Sequence, residues 1–152
     1  MPYATSEARQ QLLDTLAEAT DALGFALACL AEAYDQLDAH NGDRLEEALF
    51  QPVQSAYGRA KATHAGFADR HGMARRTFEQ QSAGVSPRGA AGFVDRAVQA
   101  VTEADLALAE LQDSMLPVEA GDPELRSGLA AVRERVRGLP GKAREFLRTL
   151  GR

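Results

Sequence analysis

The 152-residue chain carries 45% hydrophobic and 26% charged residues, the balance of a folded domain long enough to bury its own core. Its formal charge of -5 gives nucleic acid or anionic lipid no general attraction, and its single cysteine, Cys29, excludes an internal disulfide framework. Aromatic residues are only 6% of the chain and tryptophan is absent, while the strong helix formers Ala, Leu, Glu and Arg dominate.

Residues 6–39 read as a first helix, with Leu12, Leu16, Leu23, Leu27, Leu30, Tyr34 and Leu37 at helical spacing. Its middle is unusual, because Ala22 to Ala31 is a run without a polar side chain. If Leu23, Leu30 and Tyr34 face the core, Phe25 lands on the opposite side, flanked by Ala28 and Cys29, with Glu32 on the same outer line. An apolar patch with an acidic rim is the form of a partner-binding surface. Leu106 also falls outside its helix's core stripe, so the expected interface comprises Phe25, Ala28, Cys29, Glu32 and Leu106. The competing expectations are that Phe25 is one ordinary exposed apolar residue among small alanines, or that a terminus or the bent last helix folds over it.

"HNGD" at 40–43 reads as a stop, a turn and an N-cap at Asp43. A second helix then follows the stripe Leu49, Val53, Tyr57, Ala60, His64, Phe67, His71, Ala74 and Phe78 to about Ser82. A bend is expected near Pro52 and weakness at Gly72. The alternative is a break at His71-Gly72 followed by an irregular loop; continuity is preferred because so long a loop is uncommon in a bundle. Ser86-Pro87 opens a third helix, closed by Pro117, with Val94, Val101, Leu108 and Met115 in heptads. Asp122 and Pro123 cap and open a fourth, carrying Leu125, Leu129, Val132, Val136, Leu139, Ala143, Phe146 and Leu150, with a kink or split at Gly138–Gly141 near Pro140.

These segments predict one all-α domain over residues 1–152, an antiparallel up-and-down four-helix bundle. Charge sets the expected neighbours: the first helix has one basic residue against seven acidic, and the chain from Asp122 has eight basic against four acidic. The two acidic helices, first and third, are therefore placed on a diagonal. A faint repeat at an offset of 79 relates "GDRLEEAL" to "GDPELRSGL" and Phe67…Gly72 to Phe146…Gly151.

The residues that could carry chemistry lie on the second helix, where Tyr57, His64 and His71 are seven apart. That spacing is about 10.5 Å along the axis, too far for both histidines to hold one metal ion. Counting back through the Gly84 turn puts Asp105 at the level of His64 and Gln112 near Tyr57. The set Tyr57, His64, His71, Asp105 and Gln112 is the candidate ligand or metal site, with hydrogen-bonded interface histidines as the plainer reading. "RAKATH", Arg59 to His64, resembles over six residues the Arg-x4-His arrangement of the HEPN helical ribonucleases, in which the arginine and histidine act on a phosphodiester. The acidic total charge argues against RNA and the assignment is not adopted. The arginine-rich stretch 132–148 reads as a solvated helix face. Cys29 has no basic neighbour to activate it. The apolar run is about half a membrane span, and the first residues lack a basic-then-apolar leader. The expected protein is cytoplasmic and not an enzyme, needs no cofactor, and acts by association as a homodimer or with a helical protein partner.

Overall fold

A computed structural model describes the backbone of residues 2–150 and the side chains of 5–150. Among the described residues the structure is helical, without strands: α1 (Pro2–Asp35), α2 (Ala39–Leu45), α3 (Gln51–Arg70), α4 (Gly89–Asp113), a single turn α5 (Leu116–Glu119), α6 (Pro123–Arg135) and α7 (Leu139–Leu150). A wide π-helical turn, Glu46–Phe50, joins α2 to α3 without a break. Pro52 explains that turn. It has no N–H to give to the preceding turn, and widening lets the Gln51 N–H reach Glu46 O five residues back. The bend expected there is thus absorbed inside one continuous helical stretch.

The first connection lies earlier in the chain than the sequence suggests. Asp38, not Asp43, caps the second helix, accepting from the Asn41 N–H at 2.8 Å. Asn41-Gly42 is helical, and the buried Gly42 is covered by the Tyr34 ring, which is itself 43% exposed rather than a core residue. At the other end of the chain Asp122 caps α6 through the Leu125 N–H, and Pro123 occupies the first helical position. The two repeat segments therefore differ in structure: Gly42 sits inside a helix and Gly121 ahead of a cap, while Gly151 lies outside the described residues. Gly138, at φ 75°, splits the last segment into α6 and α7, whose stripe from Leu125 through Phe146 stays buried.

The largest departure is after α3. The helix ends at Arg70, and residues 71–88 form an extended strap with no regular structure. The ending is a Schellman motif: Gly72 takes φ 64°, the Met73 N–H bonds Ala68 O at 2.8 Å, and Met73 packs on the core. The next helix begins at Gly89, after rather than at Pro87, and stops at Asp113, which leaves Met115 exposed instead of in the core.

The strap changes the topology. Tyr57 lies against Gly24, Gln36 lies against Gly89, and Arg9 bonds Ala120 O, so α3 and α4 both run opposite to α1. Arg70 meets Asp122, Thr63 meets Gly128, and Arg135 meets Ser55, so α6 runs opposite to α3. The simple up-down-up-down order is therefore replaced by one in which the strap carries the chain back to the end where it began α3. It also overturns the charge argument. The acidic α1 and α4 are not diagonal but form the most extensive helix–helix contact in the molecule. Small buried residues make this tolerable: Ala19, Ala26, Cys29 and Ala33 on α1, and Ala97, Ala100 and Ala104 on α4. They let the backbones approach, and none of the acidic side chains on the two helices is buried.

Candidate functional site

Enclosure of the apolar run follows from this arrangement. Between Ala22 and Ala31 only Ala31 is exposed: α4 flanks one side, α3 the other, and the strap reaches the start of the run through Arg76 and Gln81 at Asp21 and Gly24. Cys29 is 0% exposed, and burial raises its thiol pKa against a lowering by Arg96. Phe25 and Ala28 are half-buried, with Phe25 packed on the chain's own core; Glu32 is exposed. The expected outer face of Phe25–Cys29 is thus largely closed by the fold itself. Leu106 on α4 is 57% exposed, as expected.

The candidate ligand set separates into three places. Asp105 and Gln112 do not approach His64. Both receive Arg133 of α6, Nε to Asp105 at 2.8 Å and a terminal nitrogen to Gln112 at 2.8 Å. The guanidinium lies in a cleft of about 490 Å³ that Gly138 and Pro140 also line. The expected level for Asp105 assumed a tight turn at Gly84, and the strap invalidates that register.

His71 occupies a second place, at the end of α3. Its Nε2 lies 2.9 Å from Asp122 Oδ2, and its ring packs on Phe67. Asp122 also takes both arms of Arg70, at 2.7 and 2.9 Å, besides capping α6. Burial alone would raise its carboxyl pKa, but the hydrogen bonds from Arg70, the Leu125 amide and His71 hold it well below the usual carboxylate range. This is a structural knot joining two helix ends.

Tyr57 and His64 share the third place, the furrow between α1 and α3 with the strap laid along it. His64 is 3% exposed, and its Nδ1 has no hydrogen-bond partner, an omission that costs about 1–3 kcal/mol in a folded protein. The strap's Phe78 meets the imidazole edge-on at 5.4 Å. Burial first, and the Arg76 charge second, lower the His64 pKa, against a smaller opposite pull from Asp14. Tyr57 packs against Gly24 beneath Lys61, whose ammonium sits 4.3 Å from the ring centre; burial and then Asp21 raise the phenol pKa. Arg59 is exposed and His64 buried beneath Phe78, so the Arg-x4-His pair does not converge on a common site. Among the described residues no three or more His, Cys, Asp or Glu side chains gather as a metal site.

Two pockets lie along this furrow. A pocket of about 350 Å³ is lined by Gly24, Leu27, Ala28, Tyr57, Lys61 and Phe78, among others. A second, of about 290 Å³, is lined by Ala31, Tyr34, Asp35, Glu46 and Phe50. Both include Ala31 and Phe50, so the two lie side by side along one furrow, with the strap in the wall of the Tyr57 end. The walls are aromatic, and the charged rim is Asp35, Glu46 and Glu79 against the single Lys61. Phe50 lies off the stripe of its helix, a signal that was available; Phe78 kept the stripe and looked like ordinary core.

Searches against protein-family models, curated proteins and solved structures found no match to this chain. No helix among the described residues is long and apolar enough to cross a membrane.

Proposed function

We propose that this protein is a non-catalytic helical bundle, with α1, α2–α3, α4 and α6–α7 as its four rods, that acts by docking a partner's helix in the furrow beside α1. The furrow as a whole carries the reading. Its two pockets adjoin at Ala31 and Phe50, Tyr34, Phe50 and Tyr57 stand in their walls, and the chain leaves both unfilled. From Gly24 to Asp35 it runs about 16 Å along α1, two to three helical turns. Helix-in-groove recognition needs an apolar floor for anchors spaced three and four apart, with charge at the rim to set orientation. Three carboxylates against one ammonium select a basic amphipathic helix. The association face therefore moves from Phe25–Cys29 to the adjoining side of the same helix.

A labelled amphipathic peptide of about a dozen residues, with leucines on one face and lysines and arginines on the other, tests this by fluorescence anisotropy. Saturable, salt-sensitive binding is expected, weakened about tenfold or more by Ala31→Arg, which fills the groove and reverses its rim. Binding that Ala31→Arg leaves unchanged overturns the proposal, as does no saturation up to about 1 mM. A sedimentation mass twice that of the chain, halved by Ala31→Arg, would replace the basic helix with a second copy of the chain.

A further inference from the structure

The strap is the element least explained by the core it covers. From Ala74 to Val85 no backbone-to-backbone hydrogen bond ties it to anything among the described residues. It is held by side chains: both arms of Arg75 to Asp69 at 2.8 and 2.5 Å, Arg76 to Asp21 at 2.7 Å, Gln81 Nε2 to Asp21 O at 2.7 Å, Arg96 to Ala83 O at 3.2 Å, and Phe78 on His64. With the Arg75–Asp69 and Arg76–Asp21 pairs exposed to screening solvent, the apolar anchors are the buried Ala83 near the strap's end and the Phe78–His64 contact in its middle. Its residues Phe78, Glu79, Gln80 and Gln81 bound the Tyr57 half of the furrow. The strap thus forms one wall of that half, and its departure would widen the furrow for a longer docked segment.

We propose that the strap is an acid-released latch, walling in the Tyr57 half of the docking furrow while His64 is neutral and leaving it when His64 gains a proton. Neutral imidazole fits the closed site, although its Nδ1 is already without a partner. In the imidazolium both ring nitrogens are donors, and the closed site offers that Nδ1 no acceptor. The charged groups facing His64 oppose the change on balance: Arg76 from the strap repels the new charge more than Asp14 from α1 attracts it, and burial adds to the repulsion. On α3 itself, Lys61 lies over Tyr57. Because the closed site disfavours the charged form, the closed strap binds fewer protons than the open one. Closure is therefore complete at high pH and is lost as pH falls below the ordinary histidine value of about 6.5.

The partner-binding part of this inference rests on the function proposed above; the strap motion does not. In the full chain, NMR cross-relaxation between the His64 and Phe78 rings reads the latch directly. It is expected at about pH 7.5 and lost at about pH 5, while His64→Leu, which cannot charge, keeps the Phe78 signals unchanged between the two. His64→Gln serves if the leucine variant fails to fold. Anisotropy with the same basic peptide, lengthened by two turns, should show binding about threefold or more tighter at pH 5 than at pH 7.5 in the wild-type chain and equal in the variant. Phe78 signals that ignore pH in the wild type, or move equally in the variant, overturn the latch. A strap that opens without any gain in peptide binding keeps the latch and overturns the furrow as its purpose.

Discussion

The two sides of α1 solve the same packing problem in opposite ways. Against α4 the helix presents Ala19, Ala26, Cys29 and Ala33, all at or below 1% exposure, and these small side chains let the seam close. Against α3 it meets Tyr57 and leaves a furrow, which a strap without secondary structure then walls at one end. A seam of alanines is closed because backbones can approach until nothing fits between them. A seam with a large aromatic wedge holds the helices apart, and the gap becomes either a site or a place for another segment. Net charge does not choose between the two: the closed seam joins the two acidic helices.

Enlarging a residue on the closed side should break it. Ala26→Leu is expected to lower unfolding free energy by about 2–3 kcal/mol in denaturant titrations, because the new side chain has no space and no solvent to enter. A shift below about 0.5 kcal/mol would mean that this seam is not close-packed. The α3–α6 contact offers a second closed seam. A Cβ on Gly128 would lie 2.9 Å from Thr63 Cβ and closer still to the threonine's Oγ1 and Cγ2. Gly128→Ala should therefore cost about 1–2 kcal/mol despite alanine's better helix propensity. Adding Thr63→Ala should recover most of that loss, and a purely additive pair would contradict the contact.

On the strapped side, Asp122 anchors the point where the strap departs. Asp122→Ala removes the α6 cap and the acceptor for Arg70 and His71, with an expected loss of about 1–2 kcal/mol. Its carboxyl pKa is depressed in the folded chain, so its contribution is whole above about pH 4 and fades as pH falls through the folded value. The variant should accordingly lose less stability on acidification than the wild type. The smallest effect sharpens the comparison most. Ala28→Leu makes the same chemical change as Ala26→Leu two positions away, but its side chain enters the furrow. A stability change within about 0.5 kcal/mol is expected, together with weaker binding of the basic peptide. Equal destabilisation by the two leucines would erase the distinction between the sides.

The helices were legible wherever an apolar period met a strong terminal signal. Leu12, Leu16, Leu23 and Leu30 lie buried as their spacing requires, and Asp122-Pro123 caps and opens α6 as read. The stripe failed where a non-helical segment imitated it. Phe78 turns inward on His64 without being in a helix, so its place in a four–three series carried the second helix past its end at Gly72. That one error removed the expected His64–Asp105 neighbourhood, because each residue of the strap shifts both the register and the direction of α4 and the helices after it.

By itself the sequence determined the helical class, most of the core stripe, and the Asp122 helix start, because these depend on side-chain period and on hydrogen bonds within a few residues. Only the tertiary structure decided which helices adjoin, that Cys29 is enclosed, and that Tyr34, Phe50 and Tyr57 line one furrow. Those outcomes depend on where an extended strap delivers the chain, and an extended segment carries no periodic signal of its direction.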